Sequence, residues 1–187
     1  MKNWIDQIDK TTGEFQELFG TLKSEELNWR PSQDTWSIAQ NIDHLMAINQ
    51  TYFPALNELR SGSYKLPFLA KSGFIVSFLG KMILNGVSPD RKKKMKTFPI
   101  WEPTQDPIAN GILERFSEHQ HQLKREIEAS ADLIERKAII SSPANRNIVY
   151  RLETAFDIIV THERRHLEQS KEVLTLLEKS TGRKTGN

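Results

Sequence analysis

Residues 152–176 read LETAFDIIVTHERRHLEQSKEVLTL, and the spacing of their apolar side chains decides the class of fold. Leu152, Ala155, Phe156, Ile159, Val173 and Leu176 recur at helical intervals, as on one face of a long α-helix that covers a core. The stripe 152, 155, 159, 162, 166, 169, 173, 176 passes through His162, His166 and Gln169, so polar side chains stand where the period calls for apolar ones. Histidines four apart project side by side, and two neutral imidazoles so placed can converge on one cation. The alternative is a pair of hydrogen-bonded core histidines, which carries the cost of burying two polar rings.

The same period organises the rest of the chain. Trp4, Ile5, Ile8, Phe15, Leu18 and Phe19 predict an amphipathic helix over the first 20 residues. Ser37-Ile38-Ala39-Gln40 is a capping box that opens a second helix. The stripe Ile38, Ile42, Leu45, Asn49, Tyr52, Phe53, Leu56 carries this helix about six turns, to Gly62. Asp106-Pro107 predicts an N-cap with proline at the first helical position, opening a third helix through Ile108, Ile112, Phe116, Leu123 and Ile127 to about Ala131. A linker containing Ser141, Ser142, Pro143 and Asn145 leads to the last helix. Ala138-Ile139-Ile140 is only a weak strand signal, so an all-α bundle is the simplest assembly.

Residues 62–106, punctuated by Pro67, Gly73, Gly80, Gly86, Pro89, Pro99 and Pro103, read as a long, partly helical insertion between helices two and three. Its most apolar part, 66–84, is interrupted by Lys71 and Lys81 and is too short to span a bilayer, which predicts a core helix or a lid, with membrane contact or substrate capture by an exposed apolar patch as the alternative. Arg91 to Lys96 form a basic run expected as a solvated loop, or else as a site for acidic ligands. The domain expected is a single bundle over 1–180 with a flexible tail at 181–187.

Composition narrows the chemistry. With 187 residues, 37% hydrophobic and 27% charged, the chain can bury an ordinary core. It has no cysteine, so thiolate zinc sites, iron–sulfur clusters, disulfides and cysteine nucleophiles are excluded, and any metal must sit on His, Asp or Glu. A net charge of +2 lacks the footprint of a nucleic-acid binder. The charged first 20 residues lack a secretory h-region, which predicts a cytoplasmic protein with no membrane partner.

Two residues compete to complete a site with His162 and His166. His119 shares a face with Ile112, Phe116 and Leu123, whereas His121 falls off it. His44 lies on the shoulder of helix two beside Asn41 and Ile48, so periodicity alone favours His119. The motif His162-Glu163-Arg164-Arg165-His166 also matches the H-E-x-x-H of zinc proteases. The acids that follow, Glu168, Glu172 and Glu178, continue the same helix and cannot fold back as a third ligand.

The chain resembles the DinB-like superfamily of metal-binding four-helix-bundle proteins, which includes thiol-dependent S-transferases. The resemblance lies in Leu27-Asn28-Trp29-Arg30-Pro31, in Trp36-Ser37-Ile38-Ala39-Gln40, in His44-Leu45, and in His162 to Gln169. It implies a DinB-like four-helix bundle with one divalent metal ion on His44, His162 and His166, which sets His119 aside as a group behind the ligands. Zinc is the first expectation, with nickel, iron or manganese as alternatives. Three histidines leave coordination positions open, as catalytic sites do. The activity implied is an S-transferase that uses a low-molecular-weight thiol on a small-molecule substrate. A metal-dependent hydrolase is the alternative, with Glu163 as base through water. A non-enzymatic bundle that binds a metal or a partner is the third reading. Arg165 and the 91–96 run are candidates to hold a thiol cofactor's carboxylates, and a homodimer is expected from the resemblance.

Overall fold

The computed structural model describes residues 3–90 and 97–182. Helix α1 spans Trp4–Phe19, a short α2 spans Ser24–Asn28, and α3 spans Ile38–Gln50. The predicted capping box opens α3: the Ser37 N–H donates to Gln40 Oε1 at 3.0 Å, and the Gln40 N–H donates to Ser37 Oγ at 3.1 Å. The six-turn second helix is corrected to two pieces, because α3 ends at Gln50 and α4 runs Phe53–Ser61. Pro54 lies in the first turn of α4, where it has no N–H to donate back to Gln50.

Helix α5, Gly73–Val87, forms most of the insertion, flanked by 3₁₀ turns at Phe68–Lys71 and Pro99–Trp101. Helix α6 spans Ile112–Glu128 and α7 spans Ala131–Glu135, so the expected start at Pro107 and end near Ala131 are also corrected. Asn28 supplies the reason for the late start. Its Oδ1 accepts from the Ile108 N–H at 2.7 Å and its Nδ2 donates to the Ile108 carbonyl at 3.0 Å, which uses the backbone that a helix would need. The chain turns into α6 only at Gly111, whose φ of 80° suits a residue without Cβ.

The predicted linker holds a hairpin instead. Strand β1, Ile139–Ser142, pairs antiparallel with β2, Asn145–Arg151, in the register Ile140 to Tyr150, with an irregularity between Ser141 and Ser142. Ile140, Val149 and Tyr150 are buried, and the Tyr150 and Tyr52 hydroxyls lie 2.7 Å apart. Helix α8, Leu152–Thr181, closes the fold.

Helices α1, α3, α6 and α8 form the four-helix bundle. Each of α1 and α3 packs on both α6 and α8, so α1 and α3 sit on one diagonal. Phe15, Phe19, Phe116, Ile42 and Leu45 fill one half of the core, and Trp4, Leu56, Leu123 and Phe156 belong to the other. Each such side chain contributes roughly 1.5–3 kcal/mol on burial. Helix α5 lies outside this square, against β2 and α8. At Gly80 an added Cβ would stand 3.1 Å from Thr154 Cγ2 and 3.2 Å from Tyr150 Cβ, so the helix approaches closely only because no side chain intervenes.

The stripe read along α8 drifts off the buried face. At 100° per residue Leu176 lies about 120° around the axis from Leu152. Leu176 is accordingly exposed and Gln169 only half-buried, while Ser170, Val173, Leu174 and Leu177 complete the inner face. The basic run 91–96 and residues 183–187 of the expected tail lie outside the described residues.

Candidate metal centre

His162 and His166 leave α8 one turn apart, and their Nε2 atoms stand 3.0 Å from each other. His44 reaches them from α3, with ring centroids 5.3 Å from His162 and 4.7 Å from His166. One ligand atom from each of the three lies within 4.8 Å of the others. The structure therefore brings together the three histidines expected from the family resemblance, and the shoulder of α3 that carries His44 is buried where it meets α8.

Hydrogen bonds fix which nitrogens are available. His44 Nδ1 is 2.6 Å from the Trp101 carbonyl oxygen, which can only accept, so Nδ1 carries the proton and Nε2 keeps its lone pair. His166 Nδ1 is 2.7 Å from Asn41 Oδ1, and Asn41 Nδ2 donates at 2.9 Å to the Ser37 carbonyl, which fixes the orientation of the amide. His166 thereby also presents Nε2 as an acceptor. Oxygen partners behind imidazole ligands are the usual way a protein sets ring orientation and tautomer. Trp36 lines the same group, stacked on His166 at a centroid distance of 5.8 Å and 4.7 Å from the His44 ring.

Burial keeps all three rings neutral. It pushes His44 down to about 4 against the opposing hydrogen bond to the Trp101 carbonyl, and it pushes His162 and His166 well below the usual imidazole value. The neighbouring histidines and Arg165 add to the fall at His166. Neutral imidazole is the ligating form. Two Nε2 atoms 3.0 Å apart share one proton when both rings are neutral, and His162 and His166 would instead offer both lone pairs to a divalent cation if one were bound. An all-nitrogen set of this kind suits zinc, nickel, iron or copper, so the residues present fit a divalent transition metal. His162 is the half-buried member, which leaves the approach on its side open to solvent and small molecules.

Glu163 takes a different place from the one expected. It is 0% exposed, in the interior of the bundle. Its Oε1 accepts from Asn49 Nδ2 at 2.9 Å and its Oε2 from Gln120 Nε2 at 3.0 Å, a tie between α3, α6 and α8. Burial raises its carboxyl to about 7 although both amides favour the charged form. It is not part of the ligand cluster. Arg165 donates through Nη1 to the carbonyls of Gly86 at 3.3 Å and Ser88 at 3.1 Å, which fastens the end of α5 to the helix that carries His162 and His166. His119 is buried against Phe53, with ring centroids 5.8 Å apart, and neither of its nitrogens has a hydrogen-bond partner among the described residues. His121 is exposed.

Sequence reasoning missed Gln120, and it assigned no role to Asn41 beside His44 or to Asn49 on the inward stripe of helix two. Their signal was present, since each is a polar residue on a helix face that is otherwise buried. The Trp101 carbonyl had no sequence signal, because a main-chain acceptor depends on where the insertion folds back.

A bundle of this topology with histidines on its second and last long helices defines a class of metal-site protein. Residues 7–170 match the DinB superfamily model, and the chain belongs to that superfamily. A relative is the uncharacterized protein YuaE of Bacillus subtilis, 28% identical over 166 residues, which cover 89% of this chain and 93% of the relative. Among solved structures, YfiT from Bacillus subtilis matches 97% of this chain and 87% of its own, with a TM-score of 0.57 and 14% identity. That structure is described as a probable metal-dependent hydrolase with an unusual four-helix bundle topology, and the likeness here is one of fold.

Proposed function

We propose that this protein is a metal-dependent enzyme in which His44, His162 and His166 hold one divalent ion, with zinc the first choice, and that it transfers a low-molecular-weight thiol to a small electrophilic substrate. The observation that carries the metal reading is the convergence of three neutral imidazoles within 4.8 Å, two with their proton held on Nδ1. Held by His44, His162 and His166, such an ion would supply Lewis acidity that favours the ionised form of a nucleophile. A thiol, with an ordinary pKa near 8.5, needs less help from a base than water does. That difference favours sulfur, because both oxygens of Glu163, the nearest acid in sequence, are engaged by Asn49 and Gln120. In this reading Glu163 and Arg165 are positioning residues, one tying the ligand helices together and the other fixing the insertion beside them.

Hydrolysis is the second reading, favoured by the description of the YfiT structure. The two are separated by assaying zinc- and nickel-loaded protein against an electrophile panel with glutathione, bacillithiol or mycothiol, and against an ester and amide panel without thiol. Turnover that requires a thiol supports the first reading. Turnover in water alone sinks it in favour of hydrolysis, and loss of metal without loss of either activity removes both.

A further inference from the structure

The insertion carries apolar side chains on its outside. Of the exposed large hydrophobics among the described residues, all except Leu176 lie in 62–106. Phe68 and Phe74 are each 80% exposed and Phe78 is 57% exposed. Phe74, Phe78 and Met82 are spaced i, i+4, i+8 along α5, and the first two rings stack at 6.3 Å. The opposite face of α5 is already used, with Val76 and Gly80 buried toward β2 and α8. Lys71 and Lys81 flank the stripe, and Lys71 Nζ sits 5.1 Å from the Phe68 ring centroid. From Lys65 to Val87 the chain has three lysines and no acidic residue.

We propose that this face, formed by Phe68, Leu69, Phe74, Phe78 and Met82 with Lys71 and Lys81, docks on an anionic lipid surface. Protruding phenylalanines beside lysines fit the boundary of a bilayer, where rings enter the acyl region and ammonium groups meet phosphates. A second copy of this chain fits poorly, because a two-fold contact would bring lysines against lysines with no acid in the segment to offset them. The expectation of no membrane partner followed from the lack of a secretory h-region and of an apolar run long enough to span a bilayer. No helix among the described residues is long and apolar enough to cross a membrane, and surface docking requires none.

The test is sedimentation of the full-length protein with phosphatidylcholine vesicles and with vesicles that also carry phosphatidylglycerol. The expected result is binding to the anionic vesicles that is at least about tenfold stronger and weakens with salt. Phe74→Ser with Phe78→Ser should lower it tenfold or more while helical circular dichroism is kept, and Lys71→Glu with Lys81→Glu should lower it as well. The proposal is overturned by absence of binding to anionic vesicles, or by unchanged binding in the phenylalanine variant. Loss confined to a variant with Lys92, Lys93 and Lys94 replaced by serine overturns it too, since the neighbouring basic run would then be the contact. A concentration-dependent dimer that Phe78→Ser abolishes would assign the face to self-association instead.

Discussion

The interior at α3, α6 and α8 and the outer face of α5 break the same rule in opposite directions. Inside, His44, His119, His166, Asn49, Gln120 and Glu163 are buried where a bundle would ordinarily place apolar side chains. Outside, Phe68, Phe74 and Phe78 face solvent where polar residues are expected. Polar burial is costly unless each group has a partner; hydrogen bonds supply one to His44 Nδ1, to His166 Nδ1 and to both oxygens of Glu163, whereas both nitrogens of His119 have none among the described residues. Apolar exposure is costly only in solubility, so it persists wherever another surface covers it. The first departure is bound into the fold; the second hangs on its periphery.

The largest effect expected from breaking the interior is loss of the metal. His44→Ala, His162→Ala and His166→Ala should each bring the metal-to-protein ratio by elemental analysis close to zero, with affinity lowered on the order of 100-fold or more. His119→Ala and His121→Ala should retain it. If His44→Ala kept full metal and His119→Ala lost it, the ligand set would be wrong.

Acid should next separate the buried histidines from the surface. Burial lowers His119 to about 4 in the folded protein, against 6.5 when it is free. The unfolded chain therefore binds the extra proton between those values, so the His119 contribution to stability is complete above about 6.5 and is lost as pH falls toward 4. The difference is about 3 kcal/mol for the full window. In metal-free protein, denaturant melts at pH 7 and pH 4.5 should show a smaller acid loss for His119→Leu than for the unaltered chain. Equal losses would mean that His119 is not held neutral by its surroundings.

Removing the oxygen behind His166 is a milder cut. Asn41→Ala leaves all three ligands but frees the His166 ring and its tautomer, and metal affinity should fall about 10- to 100-fold in a competition titration. Unchanged affinity would show that packing by Trp36 alone orients the ring. The smallest effect belongs to the contact between the two regions. Gly80→Val must displace Thr154 or Tyr150, and thermal melts should show a loss of about 1–3 kcal/mol with metal content preserved. Loss of metal in that variant would instead mean that the insertion's seat and the ligands form one cooperative unit.

The helical class was legible because apolar spacing near 3.6 residues is a local property of the chain, as in α1, α6 and α8. Cysteine's absence and the histidine pair at 162 and 166 limited the chemistry in the same local way. The third histidine of the cluster was not legible from periodicity, which favoured His119; family resemblance pointed to His44, and the packing of α3 against α8 brings it beside the pair. Pairing also decided the hairpin at 139–151, since a four-residue strand ending in Ser141 and Ser142 is stabilised by its partner β2, which itself packs on α5, rather than by its own pattern. The Trp101 carbonyl on His44, the two amides on Glu163 and the Arg165 tie to α5 join residues 43 to 114 positions apart. Contacts at such separations depend on how the helices cross, so only the tertiary structure determines them, while sequence spacing by itself determines which face each helix turns inward.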